Sequence, residues 1–366
     1  MQKYPSINGL RAFSILLVIT SHLAFNNGLV RGWEETTWAL NLLKFLIQDG
    51  QLGVNIFFVV SGFLITALLM EEERRTGTIS LKKFYIRRML RIFPAYYFIL
   101  LVYLFLQIAG YLHLDPISWL TSLTFTKQFW RTDWYTAHFW SLSVEEIFYL
   151  VWPFIFLGGD RLRKWVAVLF FVLVPVIRTL IYFHPVAWVH ELTLFTRMDA
   201  IALGCLFAIY RDKIVERCSP YWTYIFVFSM VALFISREFP FFLGKIGLAF
   251  VFIPLGLTHG TTGNILVAFI MMYSVFGPRR LWFRLLNSSI MNYVGLLSYS
   301  IYLWQQFFIS EREDWINQAP QNVVFMLLAA MGSYHLIEKP FLRLKNRFPP
   351  TPVPAVQQTE LVASVQ

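Results

Sequence analysis

Long apolar runs separated by short charged segments dominate the chain from residue 10 to residue 338. A helix that crosses a bilayer needs about 20 mostly apolar residues. Between residues 243 and 277 the apolar run is interrupted by PLGLTHGTTGN, which leaves either two crossings or one crossing with a shorter re-entrant or interfacial segment. The other predicted transmembrane helices cover residues 10–26, 52–70, 93–111, 140–158, 165–183, 194–210, 221–235, 290–309 and 321–338.

The distribution of Lys and Arg decides between these alternatives, because these residues accumulate in cytoplasmic loops. If the N-terminus is inside and residues 243–277 cross once, 21 Lys and Arg residues lie on the inner side and six on the outer side. A second crossing would place GPRRLWFR outside, against the rule. We therefore predict an all-α integral membrane protein with about ten transmembrane helices, a re-entrant or interfacial segment near 243–263, and both termini in the cytoplasm.

The composition agrees with this class of protein. Hydrophobic residues make up 57% of the chain and charged residues 14%, whereas soluble domains carry about 25% charged residues. The net charge of +10 follows mainly from the inner loops, so it does not indicate nucleic-acid binding. Two cysteines and scattered histidines lack the spacing of a metal site, and we expect no metal. The Pro-rich, polar end predicts a disordered cytoplasmic tail over 343–366, after a membrane domain over 1–342.

Two ionisable residues, Arg11 and His22, lie within the first apolar run. Eleven residues are close to three helical turns, so both side chains project from one face, ~16 Å apart along the axis. Ionisable groups within spans usually face a bundle interior or a wet cavity, and histidine is a natural general base near neutral pH. Spacing alone leaves two interpretations open: a reaction centre, or a pair that marks the two ends of a span.

A basic segment, SLKKFYIRRMLRIFP, contains Lys83, Arg87, Arg88 and Arg91 on the predicted inner side. On a helix Arg88 and Arg91 stand at i and i+3, on one face. The planar guanidinium group suits phosphate oxygens, which favours an anionic ligand. The alternative is a topology signal in contact with anionic lipid headgroups.

The segment WSLSVEEIFYLVWP places Glu145 and Glu146 near the outer end of the fourth span. Consecutive helical residues diverge by ~100°, so only one of the two is expected to face the interior. Glu145 could orient an imidazole, hold an acceptor hydroxyl or pair with Arg197. The preceding His138 and Trp140 predict an aromatic rim that stacks on a sugar, or an interfacial aromatic belt.

Two later charged positions favour structural roles. Asp199 begins the sixth span beside Arg197, which predicts local ion pairing or helix capping. Glu338, beside Lys339, lies at the inner end of the last span. This position predicts a structural latch, that is, a polar contact that holds the end of this helix in place.

Seven motif-like segments follow one another between residues 7 and 342. They are GLRAFSILLVITSH, GVNIFFVVSGFLIT, FYIRRMLRIFPAYY, WSLSVEEIFYLVWP, RMDAIALGCLFA, LSYSIYLWQQ and HLIEKPF. In this order they resemble the motifs of the bacterial membrane acyltransferase-3 family. Members of that family are integral-membrane O-acyltransferases that modify cell-surface glycans. Seven motifs in the expected order make the resemblance specific over nearly the whole chain.

The resemblance implies an inner-membrane enzyme that transfers an acyl group, usually acetyl, from cytoplasmic acetyl-coenzyme A to a sugar hydroxyl. The acceptor would be a cell-surface polysaccharide or its lipid-linked precursor, and the surrounding partners would be membrane lipids. His22 matches the family's essential histidine, which implies a general base or a transient acyl carrier. The implied catalytic residues are His22, Arg11 and Glu145, and the implied donor-binding residues are Arg88, Arg91, Arg87 and Lys83.

Two positions depart from the family pattern. Asn55 stands where the family more typically has an aspartate, and Gln305 stands where it often has a histidine. These two replacements favour one alternative to the enzyme, a non-catalytic member that binds no acyl-coenzyme A. A second alternative is a transporter or flippase for polysaccharides or lipid-linked sugars, in which the same charges line a pathway.

Overall fold

The computed structural model describes residues 4–26, 50–130, 133–183, 193–245, 252–310, 312, 314–345 and 347–348, and these residues form helices and turns without a strand. The α-helices are α1 (Ile7–Asn26), α2 (Gly50–Thr76), α3 (Leu81–Ile108), α4 (Pro116–Leu123), α5 (Trp134–Ala137), α6 (Phe139–Leu157), α7 (Gly159–Phe183), α8 (Thr193–Ile209), α9 (Arg211–Cys218), α10 (Trp222–Lys245), α11 (Phe252–Phe276), α12 (Leu281–Leu286), α13 (Ser289–Phe308), α14 (Gln321–Ser333) and α15 (Lys339–Lys345). A π-helical stretch, Tyr334–Glu338, joins α14 to α15. Single 3₁₀ turns lie at Lys127–Phe129, Ser219–Tyr221 and Trp315–Asn317.

Six of the described helical segments are long and apolar enough to cross a membrane: Ile7–Phe25, Gly50–Thr76, Leu81–Ile108, Trp134–Leu157, Gly159–Ile181 and Arg211–Ser236. They confirm the all-helical class and its multi-pass character, but not the count of about ten. Helices α8, α13 and α14 overlap three other predicted spans without being among these six. The region 349–366 of the predicted tail lies outside the described residues, and the last helix continues to Lys345.

The interrupted apolar run differs from the expectation of a separate re-entrant segment. The described residues from Phe252 onwards belong to one 25-residue helix, α11, which continues to Phe276. Residues 246–251 lie outside the described part. Gly and Pro are tolerated within membrane helices, which explains why PLGLTHGTTGN does not end this helix.

Local signals in the sequence explain where several helices begin. The Ser80 hydroxyl accepts a hydrogen bond from the backbone N–H of Lys83 and caps α3. Asp115 caps α4 in the same way, with Pro116 at the first helical position. These residues satisfy N–H groups that have no partner within the helix.

Close helix contacts place α1 and α2 in the interior of the bundle. At Gly204 in α8, an added Cβ would lie 2.2 Å from the carbonyl oxygen of Val59 in α2. At Gly295 in α13, it would lie 2.0 Å from the carbonyl oxygen of Asn8 in α1. Small residues of this kind let membrane helices approach closely. The tight α1–α13 and α2–α8 contacts hold the polar face of α1 towards the centre of the protein.

Candidate active site

A cavity of about 480 Å³ lies among α1, α2, α3, α6, α13 and the C-terminal end of the described helices. Phe57, Leu64, Leu68, Leu142 and Leu296 are among its apolar lining residues. Its charged lining consists of Arg11, Glu72, Arg87, Arg88, Arg91, Glu145, Glu146, Glu338 and Lys345. Five of the seven residues expected to be catalytic or to bind the donor therefore converge on one space: Arg11, Glu145, Arg87, Arg88 and Arg91.

The arginines of α3 differ in their partners. Arg87 donates a hydrogen bond from Nη2 to Oε2 of Glu72 (3.1 Å), and Glu72 also accepts from the backbone N–H of Ser80. The guanidinium carbon of Arg88 lies 3.3 Å from the centroid of the Tyr149 ring, a cation–π contact. The Tyr149 hydroxyl in turn forms a hydrogen bond with the Ser61 hydroxyl. Arg88 is therefore held by an aromatic face, whereas Arg87 is neutralised by a carboxylate.

Four cations of the cavity have no carboxylate within ion-pair distance among the described residues: Arg11, Arg88, Arg91 and Lys345. Positive charge held inside a protein without a direct partner is costly. An anionic ligand in the cavity would offset that cost.

Lys345 belongs to this group although its place in the predicted tail gave no indication of a role in binding. It lies at the end of α15, beyond the predicted last span, and reaches the cavity from there. Burial and the positive charges of Arg91, Arg88, Arg87 and Arg11 lower the pKa of Lys345 to about 8. Its ammonium group is therefore sensitive to pH in a range that is accessible to experiment.

The acidic side of the cavity corrects one expectation. Glu145 and Glu146 both line it, although their directions on α6 differ by ~100°. The prediction that only one faces the interior is wrong, because the cavity is wide enough to border two faces of this helix. Arg11 interacts electrostatically with Glu145 and with Glu338. Glu338 also accepts a hydrogen bond from the Ser300 hydroxyl of α13, which agrees with the predicted latch.

His22 is not among the residues that line the cavity. Its Nδ1 forms a hydrogen bond with Oε1 of Gln305 (3.1 Å), and its ring meets the Trp134 ring edge-on at 5.9 Å. His22 and Arg11 thus share one helix, but only Arg11 reaches the cavity.

Three other predicted positions lie apart from the cavity. Lys83 does not line it. Asn55 is buried and accepts a hydrogen bond from Nε2 of Gln51 (3.0 Å). Asp199 forms an ion pair with Arg178 of α7, so its pairing is between helices rather than local.

These features define a class: a multi-pass helical membrane protein whose interior cavity holds several arginines without a carboxylate partner among the described residues. The chain belongs to the acyltransferase-3 family, since the model of the acyltransferase domain matches residues 4–334. The "Peptidoglycan O-acetyltransferase OatA" of Listeria monocytogenes is 26% identical over 388 aligned positions, 96% of this chain and 56% of that protein. The "Putative peptidoglycan O-acetyltransferase YrhL" of Bacillus subtilis is 26% identical over 377 positions, 92% of this chain and 54% of that protein.

The chain thus spans about half the length of the curated relatives it matches. No solved structure matches it.

Proposed function

We propose that this protein is an O-acetyltransferase of the bacterial inner membrane. It transfers acetyl from acetyl-coenzyme A, bound from the cytoplasmic side, to a sugar hydroxyl of peptidoglycan or of another cell-surface polysaccharide or its lipid-linked precursor. The observation that carries this proposal is the convergence of Arg11, Arg88, Arg91 and Lys345, all without ion-pair partners in the described residues, on one cavity. Family membership and the names of the relatives support the reaction.

The cavity chemistry suits the donor. Coenzyme A carries a pyrophosphate and a ribose phosphate, and guanidinium and ammonium groups bind such oxygens through charge-assisted hydrogen bonds. Arg88 and Arg91 supply these contacts from α3, and Lys345 supplies one from α15. Arg87 forms an ion pair with Glu72 of α2, and its main role is to hold this end of α3 against α2. The apolar lining accommodates the less polar pantetheine arm.

The transfer forms a carbon–oxygen bond between the acceptor hydroxyl and the acetyl carbonyl carbon, and it breaks the carbon–sulfur bond. Negative charge develops on the carbonyl oxygen during the attack, and Arg11 is the cation placed to stabilise it. His22 acts as the general base or as a transient acyl carrier. Because His22 lies outside the cavity lining, the acetyl end passes the side of the cavity formed by Ser141 and Tyr302 to reach it.

A donor-dependent assay tests the proposal. The purified protein is reconstituted in nanodiscs with acetyl-labelled acetyl-coenzyme A and purified peptidoglycan, and both coenzyme A release and label transfer are measured. We expect His22→Ala to abolish transfer. The double variant Arg88→Ala, Arg91→Ala should raise KM for the donor about 100-fold or more, since it removes two cations and each charged hydrogen bond contributes about 1.5–3 kcal/mol.

Arg284→Ala, an exposed arginine outside the cavity, is the matched control and should leave KM unchanged. Undiminished transfer by His22→Ala would remove the catalytic assignment. Transport of a lipid-linked sugar across the membrane without consumption of the thioester would show that the protein is a transporter rather than an enzyme.

A further inference from the structure

A second imidazole, that of His138, contacts α13, the helix that also contacts His22. It is buried, at 4% exposure, where α5 ends and α6 begins. His138 is within electrostatic range of His22. The two imidazoles form hydrogen bonds with consecutive residues of α13: His22 with Gln305 and His138 with Gln306.

The hydrogen bonds of His138 determine its tautomer. The Oε1 atom of Gln306 accepts from the backbone N–H of His138 (3.2 Å) and contacts Nδ1 of the same residue (2.5 Å). A backbone N–H can only donate, so the Gln306 atom that faces it is the amide oxygen, which can only accept. The proton of the neutral imidazole is therefore on Nδ1, and the lone pair is on Nε2.

The Nε2 atom of His138 has no hydrogen-bond partner among the described residues, although it is buried. Buried polar atoms are normally satisfied, and an exception calls for an explanation. The Leu303 carbonyl also approaches the ring, but as an acceptor it cannot satisfy a lone pair. Nε2 is thus an oriented and unused proton acceptor.

His138 also borders the proposed donor cavity. The Tyr302 hydroxyl donates to the His138 carbonyl oxygen (2.5 Å), and the Ser141 hydroxyl lies 2.6 Å from the Tyr302 hydroxyl. Ser141 and Tyr302 both line the cavity. His138 therefore lies directly behind the cavity wall, on the side towards His22.

We propose that His138 is a second proton-transfer residue that relays a proton between His22 and the donor sulfur. This inference rests on the proposed acetyl transfer. The acceptor oxygen bonds to the acetyl carbon, the carbon–sulfur bond breaks, and the hydroxyl proton must reach the thiolate. Nε2 of His22 takes that proton, Nε2 of His138 receives it from His22, and His138 delivers it to the sulfur.

Among the residues that the structure describes, the charged and titratable groups around His138 are few. They are His22 from α1, Tyr302 from α13, and Asp133 before α5, which is neutralised by Lys127 at 2.6 Å. A change in the pH dependence of the rate after substitution at the His138–Gln306 pair therefore reports on the two imidazoles.

The test compares His138→Gln with His113→Gln, a matched change at an exposed position outside the helices. Glutamine can still donate to Gln306 but cannot relay a proton, so we expect kcat to fall about 100-fold or more. The coenzyme A Kd should stay within about threefold, because the phosphate-binding cations are unchanged. A kcat for His138→Gln equal to that of His113→Gln would overturn the relay.

A second variant keeps the inference testable if His138→Gln does not fold. Gln306→Glu retains an acceptor for Nδ1–H and adds a negative charge, which stabilises protonated imidazole. We expect the acidic midpoint of the kcat–pH profile to move to higher pH by about one unit, and an unchanged profile would overturn the relay. If the wild-type enzyme is active and the variants are unaffected, only the relay is refuted. If the wild-type protein releases no coenzyme A, the proposed function is refuted as well.

Discussion

The contact between Arg88 and Tyr149 allows a quantitative prediction about donor binding. The guanidinium carbon lies 3.3 Å from the ring centroid, and Tyr149 is 2% exposed. Cation–π contacts contribute about 0.5–1 kcal/mol when exposed and about 2 kcal/mol when desolvated. This contact is desolvated, so we take about 1–2 kcal/mol as the free energy that orients Arg88 towards the cavity.

We therefore expect Tyr149→Leu to weaken coenzyme A binding by about 5- to 30-fold, since each 1.4 kcal/mol is a factor of ten in Kd. Tyr149→Phe keeps the aromatic face and loses only the hydrogen bond to the Ser61 hydroxyl. It should change Kd by less than about threefold. Isothermal titration calorimetry of coenzyme A into the purified protein gives both values.

Thermal unfolding of the same samples shows whether the smaller leucine side chain destabilises the fold, because a large-to-small change in a core leaves a cavity. If Tyr149→Phe weakens binding as much as Tyr149→Leu, the hydroxyl rather than the ring face holds Arg88. If neither variant changes Kd while both remain folded, Arg88 does not bind the donor and the reasoning is refuted.

Two further predictions concern the cavity mouth and the helix packing. The pKa of Lys345 is lowered to about 8, so its positive charge is present below that pH and lost above it. Coenzyme A Kd should rise several-fold between pH 7 and pH 9, and calorimetry of Lys345→Arg should show a smaller rise, because arginine stays protonated. Separately, Gly204→Leu should lower the unfolding temperature by several degrees, since its Cβ would lie 2.2 Å from the Val59 carbonyl oxygen. Gly332→Ala, where an added Cβ meets nothing within 4 Å, is the control, and equal unfolding temperatures for the two variants would contradict the close α2–α8 contact.

Part of the candidate site was predictable from the sequence. Charge and the i, i+3 spacing left Arg88 and Arg91 open between a donor site and a topology signal, and the family resemblance implied donor binding. The structure places both on the cavity. Tyr149 and Lys345 were not selected. A tyrosine in an apolar run and a lysine in a predicted tail carry no local signal, since their roles depend on arginines that are distant in sequence.

The position of His22 shows the limit of periodicity. A spacing of eleven residues correctly puts Arg11 and His22 within one helix, α1. Where each side chain ends depends on what packs against it. Gln305 and Trp134 meet His22, whereas Arg11 opens into the cavity.

The amino-acid sequence by itself determined the class of this protein, because apolar segments of membrane length and ordered family motifs depend only on residues close together in the chain. The tertiary structure alone decided which ionisable side chains meet. The rotation and depth of each helix are set by its neighbours, as at Gly204 and Gly295, where small residues allow close approach. That packing gathers side chains of α1, α3, α6 and α15 around one cavity and holds the imidazoles of His22 and His138 on consecutive glutamines of α13.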